Sequence, residues 1–342
     1  MRGPRIDFSK METRYATWLT LLPVLYDYAV TQRSKTPCIS CTWLQHLPSS
    51  FIIGTDSPEN NKFIVCDFIA PSVDQKANVS VSSTIDAAAN VRRIRQMPKN
   101  HSVLAGFVCK VSQKPLIQIL ELVDGKISCK TQLSSGHSKA GYGLSWNEFG
   151  RLASGSEDGS VCVWDCKRGG LVQHWSSDDA VNDVQFRSSD ELVCVDENGQ
   201  ALFFDLRSTN VSSVSQVCTL GLNCVSAQNN LFAFGSVDRS IYVYDRREMG
   251  KGAVNVLEYH NESILQVLWH PSITNVLAAS SEDGIVSIWR QDRLVFVHAG
   301  HTDAVYDLSW NPSKQNPFCI LSVALVSMHL EKRTRVCLTT YN

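Results

Sequence analysis

The sequence predicts an all-β fold built from a repeated unit of about 40 residues. Four segments share a turn, an alternating apolar run and a closing aromatic residue: 154–165, 194–205, 235–245 and 280–290. The closing residues are Trp164, Phe204, Tyr244 and Trp289, which lie 40, 40 and 45 residues apart. Each follows a turn residue by six positions: Asp158, Asn198, Asp238 and Asp283. This period and the short strands are typical of four-stranded β-propeller blades.

The strand patterns elsewhere extend the repeat to seven blades. Runs at 38–44, 51–55 and 62–69, and at 91–97, 102–109 and 116–122, predict two degenerate blades. Four clear blades follow at about 136–178, 179–219, 220–259 and 260–300, and a seventh begins with GHTDAVYDLSWNP (300–312). We therefore predict a seven-bladed WD-repeat β-propeller over residues 36–342, preceded by an N-terminal helical extension over residues 1–35.

The end of the chain does not continue the repeat. After about Val323 the segment has no turn Asp and no closing Trp-Asp pair, so the last blade is predicted to be atypical or truncated. Because an open blade exposes sheet edges, two interpretations arise. Either MHL (328–330) and RVCLTTY (335–341) supply the missing strands, or this is an alternative or mis-predicted C-terminus, and the second interpretation is favoured.

Composition and charge limit the classes of function. The 342 residues include 32 Lys and Arg against 33 Asp and Glu, for a net charge of −1. This balance argues against direct binding of nucleic acid and against a polybasic membrane anchor. The apolar stretch 16–30 contains Pro23 and Asp27 and is too short to cross a bilayer, and no signal peptide is recognised, so an intracellular protein is expected.

The cysteines do not predict a metal site. Cys38 and Cys41 form the one suggestive pair among 12 cysteines, but a zinc ribbon needs a second pair, and strand positions three apart face opposite sides. Cys162 and Cys194 lie in apolar runs and are expected to be small buried residues. No metal, cofactor or catalytic residue is therefore predicted.

One repeat contains a candidate polar network. In WD-repeat blades a Gly-His pair, a Ser, a turn Asp and the closing Trp form a hydrogen-bonded chain, and the candidates here are His137, Ser154, Asp158 and Trp164. Although His137 and Asp158 could be mistaken for a catalytic dyad, a structural role is expected, since a satisfied polar network specifies blade packing. The same interpretation applies to His301 and Asp283.

The N-terminal extension predicts a helix with one apolar stripe, formed by Tyr15, Trp18, Leu19, Leu22, Tyr26 and Val30. Pro23 is expected to kink this helix or to start a second one. By itself, the stripe predicts only a helix packed on the outside of the propeller.

Several segments resemble one family in order and in register. They are YATW (15–18), PVLYD (23–27), PCISCTW (37–43), KFIVCDF (62–68), Met97-Pro98 with Asn100, GHSKAGYGLSWN (136–147), LNC (222–224), ILQVLWHP (264–271) and LVFVHAGHTDAVYDLSWNP (294–312). Over about residues 12–323 the chain resembles the histone-binding WD-repeat proteins, namely the retinoblastoma-binding proteins and the small subunit of chromatin assembly factor.

This resemblance implies a non-enzymatic histone-binding scaffold in chromatin assembly, deacetylase, remodelling or Polycomb-type complexes. A nuclear location is implied, with a cytoplasmic pool as an addition. The implied side site, which grips a histone H4 helix, consists of Trp18, Leu22, Val24, Leu25 and Tyr26. The implied top-face site for a histone H3 tail consists of Tyr142, Glu197, Asn223, Glu262 and Leu265.

The chain departs from the family at both sites. Glutamates expected on the top rim are replaced by Asn90, Ala140, Asn182 and Ser263, Arg92 replaces an asparagine, and Leu265 stands where an aromatic residue is usual. The acidic rim is therefore expected to be largely missing, which weakens binding of a basic tail. At the side site, the acidic insertion of the sixth blade is reduced to residues 290–293, so half of the clamp is expected to be absent.

Two other functions remain open. A divergent WD-repeat adaptor could bind a non-histone peptide through the same fold, for example in ribosome biogenesis or in a ubiquitin ligase. An enzyme ranks third, because the sequence contains no Gly-rich phosphate loop, HExxH motif or Gly-x-Ser-x-Gly motif.

Overall fold

The computed structural model describes residues 8–25, 28–34, 36–57, 60–69, 78–110, 113–134, 136–208, 211–312, 320–328 and 331–340. Within these ranges, side chains are described for residues 13–21 and 36–323. The chain starts with helix α1, Phe8–Leu25, followed by strand β1, Tyr28–Ser34. The predicted helical stripe is wrong at Val30, because this residue lies in β1. The helix continues through Pro23 and ends two residues later.

Six four-stranded antiparallel blades follow, each built from consecutive strands. Blade 1 contains β2 (Cys38–Leu44), β3 (Leu47–Thr55), β4 (Lys62–Ile69) and β5 (Asn78–Asp86). Blade 2 contains β6 (Asn90–Gln96), β7 (Val103–Cys109), β8 (Leu116–Val123) and β9 (Lys126–Leu133). Blade 3 contains β10 (Gly143–Trp146), β11 (Arg151–Gly155), β12 (Ser160–Asp165) and β13 (Gly170–Ser176).

The next three blades repeat this order. Blade 4 contains β14 (Val181–Phe186), β15 (Glu191–Asp196), β16 (Gln200–Asp205) and β17 (Val211–Gln216). Blade 5 contains β18 (Leu222–Gln228), β19 (Leu231–Ser236), β20 (Ser240–Asp245), a 3₁₀ helix (Arg246–Lys251) and β21 (Asn255–Glu258). Blade 6 contains β22 (Ile264–Trp269), β23 (Val276–Ser281), β24 (Val286–Arg290) and β25 (Arg293–His298).

A further sheet joins the two ends of the described chain. It contains β26 (Val305–Trp310), β27 (Ile320–Met328) and β28 (Glu331–Thr340), and β1 completes it in the order β1-β28-β27-β26. We call it the closing sheet. β1 pairs antiparallel with β28, from Tyr28 opposite Thr340 to Ser34 opposite Thr334. Residues after Val323 thus supply strands, as the first interpretation of the tail required, and residues 28–34 join a sheet instead of a helical extension.

Apolar clusters fill the space between neighbouring sheets. Between blades 2 and 3, Phe107 and Ile119 pack against Leu144, Trp146 and Trp164. Between the closing sheet and blade 1, Leu321 and Val323 pack with Cys41, Trp43 and Phe51, all less than 3% exposed. Burial of each such side chain contributes about 1.5–3 kcal/mol, so the strand alternation that predicts blades also holds them in a ring. The prediction of an all-β WD-repeat propeller with an N-terminal helix is confirmed.

A buried charge cluster connects the inner strands. Asp307 in β26 is fully buried, and its carboxylate accepts hydrogen bonds from Arg93 Nη1 at 3.0 Å, Arg95 Nη1 at 3.1 Å and Ser40 Oγ at 2.8 Å. Burial alone would raise the pKa of Asp307, but Arg95 and Arg93 more than offset this and lower it. This carboxylate joins the closing sheet to blades 1 and 2.

The polar residues predicted in blade 3 come together. His137 Nε2 lies 2.7 Å from Ser154 Oγ, which also accepts a 2.9 Å hydrogen bond from Trp164 Nε1. His137 Nδ1 lies 2.6 Å from Ser160 Oγ, which in turn donates to Asp158. The sequence comparison missed Ser160, the residue that connects the histidine to the turn aspartate.

Blade 6 repeats this network with a different histidine. Asp283 Oδ2 lies 3.1 Å from His260 Nδ1, whereas His301 Nε2 lies 2.7 Å from Ser322 Oγ in the closing sheet. The expected pairing of His301 with Asp283 is therefore wrong. Each histidine precedes the inner strand of its own sheet and bonds within that sheet. His260 therefore belongs to the network of blade 6, before β22, and His301 to the closing sheet, before β26.

We predict that Asp307→Asn lowers the free energy of unfolding by about 3–5 kcal/mol, because it leaves buried arginine charge without its main partner. Urea denaturation followed by circular dichroism measures this change. The matched control is Glu121→Gln, which breaks the exposed Glu121–Lys130 ion pair of 3.0 Å and should cost less than about 1 kcal/mol. Equal losses in both variants would contradict the structural role of the cluster.

The loss in the Asp307 variant should depend on pH. Since the folded-state pKa of Asp307 is lowered, its ionised form stabilises the protein above the unfolded-state pKa of about 3.9. This contribution is lost as pH falls through the folded-state pKa. The difference between wild type and variant should therefore be full above about pH 5 and shrink under more acidic conditions.

Candidate functional site

Helix α1 is fixed to the propeller by two residues one helical turn apart. Arg14 Nη1 donates to the Asp283 carbonyl oxygen at 2.7 Å, and Nη2 donates to the His301 carbonyl oxygen at 3.0 Å. Trp18 is only 4% exposed, and its ring meets the His298 ring edge-to-face at 5.3 Å. These contacts hold α1 across the junction of blade 6 and the closing sheet.

Two details make this docking specific. A Cβ atom at Gly300 would lie 2.7 Å from the Trp18 ring, so only glycine admits the indole there without rearrangement. Burial, with the nearby Arg14 charge, lowers the pKa of His298 to about 3. The imidazole against Trp18 is therefore neutral at physiological pH, and the contact is aromatic rather than ionic.

Two apolar side chains of α1 that flank this docked stripe are open to solvent. Leu19 and Leu21 are 45% and 43% exposed, and being two positions apart they lie on different sides of the helix. Within the predicted stripe, Trp18 packs on the propeller as expected and Leu19 does not; a ligand contact by Trp18 stays a prediction. Leu22, Val24 and Leu25 lie in the last turns of α1, where the side chains are outside the described part, and Tyr26 lies outside the described residues altogether.

The outer strand of blade 6 supplies further apolar surface near this helix. β24 and β25 are joined by Gln291 and Asp292 alone, so the turn carries no acidic insertion. Leu294 and Val295 of β25 are 36% and 52% exposed, and His298 at the end of the same strand contacts Trp18. The side site thus combines an exposed helix face with an exposed strand, and it lacks an enclosing loop.

The predicted top-face residues occupy ends of inner strands and adjoining turns. Tyr142 precedes β10, Asn223 lies in β18 and Leu265 in β22, and all three are partly exposed. Glu197 and Glu262 are exposed in turns. Asn223 is engaged with its neighbour, since its Nδ2 donates to the Ile264 carbonyl oxygen at 2.8 Å. These residues form one mouth of the ring, which we call the top face.

Arg92 covers the ring of Tyr142, the aromatic residue among them. Its guanidinium carbon lies 5.7 Å from the centre of the Tyr142 ring, and Nη1 donates to the Tyr142 hydroxyl at 3.2 Å. An ion pair of 3.6 Å with Asp56 holds Arg92 in this position. Asn90, in turn, donates to Asp56 through its side-chain amide. An internal cation therefore occupies the aromatic face that a basic ligand would use.

The top face contains carboxylates at positions other than the replaced glutamates. Burial raises the pKa of Tyr306, and the charges of Asp303, Glu282 and Asp56 raise it further. These three carboxylates therefore act electrostatically on Tyr306. The comparison with the family did not predict these carboxylates, because they occupy other blade positions than the replaced glutamates. The acidic residues in the turns between strands could have indicated them.

Two kinds of feature were sought among the described residues, a cluster of metal ligands and a membrane-spanning helix. None of their His, Cys, Asp and Glu side chains form a cluster of three or more that could hold a metal ion. Cys41 is fully buried, and burial raises its pKa well above the ordinary value, which keeps the thiol protonated. None of the helices in this part is long and apolar enough to cross a membrane.

Comparisons with known proteins agree with this architecture. Residues 13–72 match the family described as histone-binding protein RBBP4 or the C component of the CAF1 complex, and residues 128–165 and 252–290 match "WD domain, G-beta repeat". The chain is 23% identical to "Histone acetyltransferase type B subunit 2" of Candida glabrata, over 89% of this chain and 84% of the relative. It is 26% identical to the protein of that name from Eremothecium gossypii, over 91% and 82%.

The family match at residues 13–72 contains most of α1 and of blade 1, and the repeat matches fall in blades 2, 3, 5 and 6. The relatives cover nearly the whole chain, although the identity is low. The predicted resemblance is confirmed: this chain is a divergent WD-repeat propeller similar to the histone-binding WD-repeat proteins.

Proposed function

We propose that this protein is a non-enzymatic scaffold subunit that binds histones within chromatin-assembly and chromatin-modifying complexes in the nucleus. The family match and the names of the relatives support histone binding. Because the relatives are named as subunits of a histone acetyltransferase, one expected assembly contains a separate catalytic subunit, with this chain holding the substrate. Deacetylase and Polycomb-type complexes are further expected assemblies.

We also infer that the closing sheet acts as the seventh blade. Its apolar cluster with blade 1 and the Asp307 contacts to Ser40 and Arg93 support this assignment. A ring closed in this way leaves no open blade edge between first and last sheets, which explains how a chain with an atypical end can support a stable binding surface.

The side of the propeller is the proposed site for a histone H4 helix. The main support for this site is that Arg14 and Trp18 hold α1 on the propeller while Leu19 and Leu21 stay exposed. An amphipathic helix can lay its apolar face on such a surface. The outer strand β25 adds exposed apolar residues on its two faces, Leu294 and Val295, whereas the short 291–292 turn does not enclose a bound helix. We therefore expect H4 binding that is weaker than in family members with the full insertion.

The top face favours a second candidate function. Since Arg92 covers Tyr142, a basic H3 tail meets an internal competitor, although Asp56, Glu282 and Asp303 retain some attraction. This arrangement supports a divergent adaptor role, in which the top face binds a peptide other than a histone tail. The side site and the top face can be tested separately.

For the side site, we predict that Leu19→Asp combined with Leu21→Asp weakens binding of a labelled H4-helix peptide by about tenfold or more, because it places charge in an apolar contact. Fluorescence polarisation measures the dissociation constant. Val172→Asp is the matched control, since Val172 is 48% exposed on β13 of blade 3. Unchanged binding in the double variant would exclude the exposed part of α1 as the H4 site.

Trp18→Ala should weaken H4 binding for a different reason. It removes the buried contact with His298 and Gly300, so α1 loses its fixed position, while the blades keep their own cores. We expect H4 binding to fall by about tenfold or more, whereas the thermal unfolding of the propeller shifts little. Full binding by a Trp18→Ala variant would show that the docked helix is not needed.

For the top face, we predict that Arg92→Asn strengthens binding of an H3-tail peptide by about fivefold, because it frees the Tyr142 ring and removes a like charge. The gain should shrink between about 0.05 and 0.5 M salt, and adding Tyr142→Ala should abolish it. The control is Arg168→Asn, whose exposed side chain lies on the turn after β12. No gain in the Arg92 variant would favour the adaptor function for the top face.

A further inference from the structure

A groove of about 500 Å³ lies between blades 2 and 3, at the opposite ends of the inner strands from the top face. β6 begins at Asn90 near the mouth, and Met97, just after its last residue, lines the groove. The floor is apolar and buried, with Met97, Val103 and Ile119 each at most 8% exposed. The groove is separate from the side and top sites described above.

One wall carries an exposed aromatic side chain on a turn whose backbone is held by hydrogen bonds. Phe149 is 64% exposed, although it lines an apolar groove. Asn147, itself 3% exposed, accepts hydrogen bonds from the backbone N–H groups of Phe149 and Arg151, both at 2.9 Å. Its Nδ2 also donates to the Ser189 carbonyl oxygen of blade 4 at 2.9 Å. The phenyl ring is thus presented by a turn that is ordered before any partner arrives.

A glycine fixes the other side of this turn. Gly150 has φ +89°, which other residues rarely adopt, and its Cβ position would lie 3.5 Å from Met97 Cε. The turn therefore packs closely on the groove floor. Such preorganisation lowers the entropy cost of binding a partner here.

The rim of the groove is basic. Three lysines line it, Lys99, Lys130 and Lys167, together with Glu148. Lys130 Nζ also forms a 3.0 Å ion pair with Glu121 of β8, so two carboxylates partly offset the three positive charges. Lys99 Nζ lies 2.7 Å from Glu148 and 5.7 Å from the centre of the Phe149 ring. The side chains of Lys99 and Glu148 are both more than 60% exposed, so this ion pair contributes little, and carboxylates from a partner can replace it at small cost.

We propose that this groove binds an acidic peptide segment that carries a large apolar side chain. The apolar side chain packs on Phe149 and the floor formed by Met97 and Ile119, while flanking Asp or Glu side chains pair with the rim lysines. Burial of the anchor contributes most of the binding free energy, and the charges select the partner and its orientation. The sign of the charge is opposite to that expected for a histone tail.

Nucleic acid fits the same surface less well. A phosphate backbone draws its affinity from many simultaneous cation contacts, whereas this rim offers three lysines and includes Glu148. The buried apolar floor would also contribute nothing to binding a phosphate backbone. The groove chemistry therefore favours a peptide.

The test selects peptides that bind the full-length protein from a display library of random peptides about 12 residues long. Peptides that also bind a variant combining Phe149→Ser and Lys99→Glu are removed by counter-selection. We expect enrichment of peptides in which an aromatic or large aliphatic residue is flanked by Asp and Glu. Enrichment of basic peptides, or of peptides without acidic residues, would overturn the proposal.

Fluorescence polarisation of the most enriched acidic peptide then locates the site. We expect Phe149→Ser and Lys99→Glu each to weaken binding by about tenfold. Val81→Ser is the control for an exposed apolar residue, since Val81 is 62% exposed on blade 1. Lys251→Glu is the control for charge, because Lys251 forms a comparable exposed ion pair of 2.7 Å with Glu248. Equal weakening in variants and controls, or no weakening in any of them, would overturn the assignment.

A single-stranded oligothymidylate provides the last comparison. If it displaces the peptide and loses affinity in the Lys99→Glu variant but not in Phe149→Ser, the surface binds nucleic acid and the peptide proposal fails. If it does not displace the peptide, the proposal is supported. Thermal unfolding of each variant verifies folding, which is expected to be intact because Phe149 and Lys99 are exposed.

Discussion

The closing sheet and the position of helix α1 both depend on the antiparallel pairing of β1 with β28. It completes the closing sheet with a strand from the other end of the chain, and it begins three residues after α1 ends. The position of α1 therefore depends on closure of the ring. Arg14 and Trp18 then fix the helix over the junction that this closure creates. Fold stability and the proposed H4 site thus share one structural element.

A second connection across the same region is electrostatic. Asp307 contributes a fully buried charge from the closing sheet, and its partners Arg93 and Arg95 come from blade 2. Three buried or partly buried ionised groups are tolerated because their hydrogen bonds are satisfied within the cluster. Arg92, the neighbour of Arg93, points to the mouth and contacts Tyr142. A short stretch of β6 therefore contributes both to the centre of the fold and to the chemistry of the top face.

The sequence predicted features that depend on local pattern. The repeated turn, apolar alternation and closing aromatic residue located most blade strands, and β12 forms the second half of the predicted repeat segment 154–165. It could not predict features that depend on distant pairs. Arg14 contacts residues more than 250 positions away, and Leu19 is exposed because Trp18 and Arg14 set the rotation of the helix. Likewise, Asp56, Glu282 and Asp303 come from distant parts of the chain, and their charges raise the pKa of Tyr306 only in the folded propeller.

The near-neutral net charge conceals two local surfaces of opposite sign. Carboxylates act electrostatically on Tyr306 at the top face, whereas lysines line the groove at the other ends of the inner strands. The seven residues of β6 separate these ends by about 20 Å, at about 3.3 Å per residue. This distance exceeds the Debye length of about 8 Å at physiological salt, so the exposed charges of the two surfaces are largely screened from each other. A basic ligand and an acidic partner can therefore bind with little electrostatic interference, which suits the proposed scaffold function.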